Sequence, residues 1–165
     1  PLPLCIVVLP EWLDEQALAD LLSFADGFVL SARFLKPAGP DDPMVLFDPA
    51  QARRRVEQAG TLGRPFRVSL PTYNCLVAFD AAGKCLGIST RGRKLNWPGD
   101  AIVRVVPSDP AAIAALVAEW SRNRPRQMTG LIWDRLPSHG DRNTWPIDTL
   151  RLVMSGRPPS ATGPE

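Results

Sequence analysis

Histidine is nearly absent from this chain: of 165 residues only His139 is one. A lone histidine excludes the two-histidine metal sites of the HExxH and facial-triad kinds. No GxSxG elbow is present, so a Ser–His–Asp triad has no nucleophile turn to stand on, and Ser138 beside His139 does not supply one. GxGxxG and Walker A patterns are missing too. Gly60-Thr61-Leu62-Gly63 follows a helical pattern rather than a strand, the wrong order for cradling phosphate. No cofactor and no metal are therefore expected.

Cysteine is also scarce, at three residues with no CxxC spacing. Cys75 and Cys85 flank an expected hairpin, but a turn at Ala81-Ala82-Gly83 sets Cys85 opposite Phe79 or Ala78. That leaves it on the order of 10 Å or more from Cys75, beyond disulfide reach. Cys5 reads as a small core residue of a buried strand. No run approaches the ~20 apolar residues that span a bilayer, and no signal peptide is visible. Excess charge is lacking as well: 19 basic against 17 acidic residues give +2, too balanced to call for nucleic acid or an anionic membrane as partner. Arg53-Arg54-Arg55 reads as a solvated helix face, with Arg53 placed to pair with Glu57 at i,i+4.

What is present is an average globular inventory, 45% apolar and 22% charged, arranged in strand–helix units. Residues 4–9 (LCIVVL) are apolar on both faces, as a parallel strand between two layers should be. A helix over about 14–24 follows, with Asp14 as its cap and Leu18, Leu21 and Leu22 on one face. The second strand covers 28–32. Residues 36–47, rich in proline, form a long loop. Asp48-Pro49-Ala50-Gln51 is a helix start with cap, first-position proline and a glutamine three residues on. The third strand is 66–70.

An interruption comes next: a hairpin of 75–80 and 84–89, a loop with a turn at Asn96-Trp97-Pro98-Gly99, and a short strand at 102–106. Because it leaves from a strand's carboxyl end, the hairpin should overhang that end as a rim or lid. Ser108-Asp109-Pro110 starts the clearest helix, with Ile113, Leu116, Val117 and Trp120 inward and Arg122 and Arg124 at its negative end. The fourth main strand is 131–134. A last helix runs over 146–155 with Leu150, Val153 and Met154 inward, and 157–165 is a disordered tail.

The expected fold class is α/β, with four parallel βα units, half of a TIM-type barrel, and a β-hairpin insertion at about 74–106. One domain covers 1–156. A full barrel needs ~250 residues, and the two edge strands of a half-barrel aggregate unless covered. The chain opens Pro1-Leu2-Pro3 directly before a strand, as if cut inside a fold or processed. A missing amino-terminal half or a second copy is the expected cover.

The chemistry concentrates in the run 129–145, TGLIWDRLPSHGDRNTW, which passes from apolar strand to polar loop within two residues. Parallel sheets build ligand sites at the carboxyl ends of their strands. That rule gathers Glu11, Trp12, Tyr73, Asp134, Arg135, His139, Asp141, Asn143 and Trp145 around one mouth, with Trp97 in the turn as the most exposed aromatic. Carboxylates for acid/base work together with aromatic faces for sugar rings make a carbohydrate inventory. Glu11 with Asp134 is the candidate catalytic pair, at ~5 Å for retention or ~6.5–9.5 Å for inversion. The structural alternatives stand beside it. Glu11 begins a helix, Asp134 pairs with Arg135 or Arg142, Trp133 is core, and Trp145 staples the last helix.

The runs LPEWLDEQALADLLSFADGFVL, PFRVSLPTY, VAFDAAGKCLGIS, GLIWDRLPSHGDRNTW and TLRLVMSG resemble the carboxyl half of a bacterial family known as domain of unknown function 3142. The likeness extends over roughly residues 4–158. It implies a (β/α) barrel of the glycoside-hydrolase kind with an amino-terminal half. Three strand ends depart from the family pattern. Asn74-Cys75 stands for Gly-Tyr, Asp134 for Tyr, and Ser31-Ala32-Arg33 for Gln-Val-His. The resulting reading is a carbohydrate-handling, glycoside-hydrolase-like barrel with catalysis open. The alternative is a non-catalytic module that binds a glycan or a protein through the same rim.

Overall fold

In the computed structural model, residues 2–91, 96–138, 141 and 143–160 are described. Four short apolar segments, β1 (Cys5–Val8), β2 (Gly27–Ser31), β3 (Phe66–Pro71) and β7 (Met128–Asp134), form one sheet in the order β1-β2-β3-β7. Every neighbouring pair is parallel. Parallel pairing requires a crossover, and the helices supply it. The crossovers run through α1 (Ala17–Leu22), α2 (Pro49–Thr61) and α3 (Pro110–Arg122), and α4 (Ile147–Met154) follows the last strand.

Strand alternation sorts the sheet into two unlike faces. Val8, Phe28, Leu30, Phe66, Val68 and Leu70 are at most 1% exposed and pack with the buried stripes of the helices. Phe28 and Phe66, paired by register, stack with centroids 5.1 Å apart. Each such side chain contributes about 1.5–3 kcal/mol by leaving water. The opposite face is open. Val7 is 61% exposed, Arg67 is exposed, and Val29, Ser31, Ser69 and Ile132 are half-buried. The expectation that β1 is apolar toward two layers is corrected here, since within this chain only one of its faces is covered. Cys5 accordingly lies exposed rather than in the core.

The helix starts follow local chemistry. Asp48 Oδ1 accepts from the amides of Ala50 and Gln51, and the Gln51 side chain returns a bond to Oδ2. Asp109 caps α3 in the same way. The first helix differs from expectation. Pro10 initiates a 3-10 turn, Pro10–Asp14, and α1 begins only at Ala17. Asp14 does not cap it, because its carboxylate faces α2 and takes both Arg55 nitrogens at 2.7 and 2.9 Å, plus Gln58. Hydrogen bonds from Arg55 and then Gln58 hold its pKa down at about 2. Arg53 likewise reaches across to Glu119 of α3 rather than along its own helix to Glu57. Met154 is 51% exposed, not inward. The last helix ends on a Schellman turn, where Arg157 N–H donates to Leu152 and Gly156, at φ +70, donates to Val153.

The insertion is a second, antiparallel sheet, β5 (Cys85–Ser89), β4 (Cys75–Phe79) and β6 (Ile102–Val106), in the order β5-β4-β6. Register sets Phe79 opposite Cys85, and all three cysteines are free. Leu46, from the long loop after β2, packs with Tyr73, Cys75, Val77 and Phe79 in a small core of its own. That loop thus buttresses the hairpin. Residues 161–165, half of the expected tail, lie outside the described residues.

Candidate functional site

The carboxyl ends of β3 and β7 are adjacent, with Pro71 paired to Asp134. From this junction the chain builds the rim. The Tyr73 hydroxyl donates to Asp134 Oδ2 at 3.1 Å. The tyrosine is 3% exposed while Asp134 faces solvent. Burial, and next the Asp134 charge, push the Tyr73 phenol up to about 12, and Arg33 acts in the opposite sense. Burial likewise raises the Cys75 thiol to about 11, again opposed by Arg33.

Arg135 occupies the left-handed region at φ 95, a conformation that costs a non-glycine residue about 1–3 kcal/mol. Its guanidinium is held on three sides. It pairs with Asp141 at 3.0 Å, donates to the Thr90 carbonyl just past β5, and lies 5.9 Å from the Tyr73 ring centre. Thr72 Oγ1 donates to the carbonyls of Asp134 and Arg135. The surrounding bonds thus fix a backbone turn that the sequence alone disfavours.

The rest of the polar run is a latch. The Asn143 amide donates to the carbonyls of Asn74 and Thr90, its own N–H meets Asp141 Oδ1, and Asn74 N–H meets its carbonyl at 2.8 Å. Thr144 bridges Tyr73 antiparallel, and Trp145 N–H donates to Thr72 at 2.9 Å. The Trp145 indole donates to Ser108, whose hydroxyl donates to Pro71. Four segments are tied together in this way: the ends of β3 and β7, the hairpin, and the entry to α3. The hairpin is a wall fixed to the rim.

Several expected ligand contacts are corrected by this arrangement. Asn143 and Trp145 are 8% and 6% exposed, so the first is consumed in the latch and the second staples the core. Asp141 neutralises Arg135, one of the two arginines expected to pair with Asp134, and the other, Arg142, lies outside the described residues. Trp133 packs on the helix side, beside Trp120 and Met128. Trp97 is half-buried and lies over Gly87, where an added Cβ would come within 3.3 Å of its indole nitrogen. Trp12, 41% exposed in the 3-10 turn, is the more open aromatic. His139 lies outside the described residues. Glu11 is exposed after β1, at the other edge of the sheet from Asp134. Three strand spacings of ~4.8 Å separate those edges, about 14 Å between backbones, so a working pair would need both side chains to reach inward across the mouth. Sequence reasoning missed Arg33 as a site residue. Its signal was the strand-end position itself, two residues past β2.

Comparison with known proteins follows the same outline. The chain belongs to the family described as domain of unknown function DUF3142, whose model matches residues 1–139. The spore cortex-lytic enzyme SleL of Bacillus megaterium QM B1551 superposes with TM-score 0.57 at 11% identity, over 94% of this chain and 41% of that one. The chitinase ChiA74 of Bacillus thuringiensis gives TM-score 0.47 at 11% identity, over 96% and 36%. No curated protein matches the chain. The shared feature is the fold, a parallel sheet built from four βα units. The chain spans about two-fifths of the length of SleL.

Proposed function

We propose that the chain forms the strand-end rim of a carbohydrate-handling, glycoside-hydrolase-like barrel. The observation that carries this reading is the Tyr73–Asp134 contact at the ends of two adjacent parallel strands. A solvent-facing carboxylate held by a buried phenol keeps its remaining lone pairs free for sugar hydroxyls. Trp12, after β1 at the far edge of the same rim, offers an apolar face of the kind that stacks on a pyranose ring. Arg135, Asp141, Asn143 and Trp145 serve the site by fixing its wall.

In this reading Asp134 is the candidate catalytic carboxylate. Its acid/base partner is Glu11, reaching across the mouth from the end of β1, or a carboxylate on a strand docked against the free edge of β7. The free edges of β1 and β7 are covered by an amino-terminal half-barrel or by a second copy. The bonds that Asn143 and Arg135 spend on the wall rather than on the mouth suit a second reading, in which the module binds a glycan or a protein without turnover.

Glycan-array binding by the intact protein tests the proposal. Binding is expected, with loss in Asp134→Asn and Tyr73→Phe, both near-isosteric, and weakening in Trp12→Ala. Turnover abolished by Asp134→Asn separates the enzyme from the binding module. Absence of any glycan ligand for the parent protein overturns the reading.

A further inference from the structure

Several arginines of this fold are paired with carboxylates. Arg53 pairs with Glu119, Arg55 with Asp14, and Arg135 with Asp141. Arg33 departs from that pattern. Alternation along β2 sends Phe28, Leu30 and Ala32 into the helix-side core, so Val29, Ser31 and Arg33 belong to the open face. The backbone around Arg33 is fixed on both sides: Ala32 N–H donates to Ser69 at 2.9 Å and Phe34 N–H to Leu46 at 3.0 Å. Yet its guanidinium is exposed and has no hydrogen bond or ion pair with any described residue.

Its field is nevertheless directed at the site, because it opposes the ionisation shifts of both the Tyr73 phenol and the Cys75 thiol. Ser31 and Ser69 face each other across the β2–β3 register just below, half-buried, their hydroxyls without a partner among the described residues. The open face therefore presents, from bottom to top, the Arg67 guanidinium, two free hydroxyls, the Arg33 guanidinium, and a carboxylate that is held on one oxygen.

We propose that this rim takes carboxylate-bearing saccharides, with the Arg33 guanidinium pairing with the sugar carboxylate beside the Tyr73–Asp134 contact. The inference rests on the carbohydrate reading above and adds the charge of the ligand to it. Neutral sugars need donors and acceptors, which Asp134 and the serines supply, but they leave a strand-end cation without a counter-charge. A uronic acid matches it, since a planar guanidinium donates two parallel hydrogen bonds to a carboxylate.

The test is titration of the intact protein with tetragalacturonate and with its carboxyl-reduced counterpart, identical but for the acid group. The acidic probe is expected to bind about tenfold more tightly, the size of one charge-assisted contact at a partly open site. Arg33→Gln should erase that preference while leaving the reduced probe's affinity unchanged, and Arg33→Lys should retain part of it. Added salt should weaken only the acidic probe. Equal affinity for both probes, or a preference that survives Arg33→Gln, overturns the proposal. If the glycan array yields only neutral ligands, the carbohydrate reading stands and this inference falls. If it yields none, both fall.

Discussion

Tyr73 is the only tyrosine in the chain, so tyrosinate absorbance reports on the rim alone. Its phenol is raised from 10.0 to about 12, first by burial, then by the Asp134 charge. The shift corresponds to roughly 3 kcal/mol, at about 1.4 kcal/mol per pH unit. With 3% of the residue exposed, solvent screening removes little of it. The folded state holds the proton more tightly than the unfolded state, so the contribution is whole below pH 10. It is lost as pH rises through about 12. Ultraviolet titration should therefore show no tyrosinate in the native protein at pH 10, then ionisation coupled to loss of near-ultraviolet circular dichroism. Asp134→Asn should lower the midpoint without restoring it to the ordinary value, because burial is the larger cause. Arg33→Gln should move it the other way, since Arg33 favours the phenolate. Immediate, reversible ionisation near the ordinary value with the fold intact would refute the Tyr73–Asp134 contact and the burial that sustains it.

Three further outcomes follow from the latch and the thiols. Asn143→Ala strips a donor from the Asn74 and Thr90 carbonyls, which should cost about 1–3 kcal/mol. Hydrogen exchange should then quicken in β4 and β5 but not in β1 and β2. Thr144 Oγ1 is the buried side-chain oxygen left without a partner among the described residues. Thr144→Val should raise stability by about 1 kcal/mol, and a lowered melting temperature would show that the hydroxyl has a use. Cys5 is exposed, whereas Cys75 is buried with its thiol raised to about 11. A disulfide reagent should thus label Cys5 at once and Cys75 only on unfolding. Equal protection of Cys5 would mean that the open face is covered.

The elements legible in the sequence were those whose signals are local. Asp48-Pro49 and Asp109-Pro110 each place a cap and a φ-fixed residue at a helix start, and both helices begin there. The stripe Ile113, Leu116, Val117 and Trp120 is buried throughout. What escaped were features decided by distant partners. Asp14 has the composition of a cap, but Arg55, forty-one residues on, takes its oxygens. The fourth strand starts at Met128, three residues before its apolar run, because Thr129 sits at a bulge opposite Phe66/Arg67 and bonds the Phe66 carbonyl. The polar run 134–145 has the residue types of a ligand site, yet most of its donors close on backbone carbonyls of other segments. Residue type alone does not separate a site from a latch; the whereabouts of Asn74, Thr90 and Ser108 does.

The open face carries a constraint on whatever closes it. Arg67 lies in the interior of β3, level with Val7, Val29 and Gly130 across the sheet, exposed and without an ion pair among the described residues. Closing a barrel over it would bury a guanidinium, and an uncompensated buried charge costs several kcal/mol. A second copy of this chain brings no acid to that level. The carboxylate described on the open face, Asp134, stands four residue steps higher along β7, on the order of 13 Å away. It brings instead another Arg67, so that two cations would share one lumen. A different βα segment, with an inward carboxylate at the height of Val29, meets the same surface without that repulsion and turns Arg67 into an anchor of the closed barrel. A partner that supplies such a carboxylate therefore meets this face at lower electrostatic cost than a second copy does.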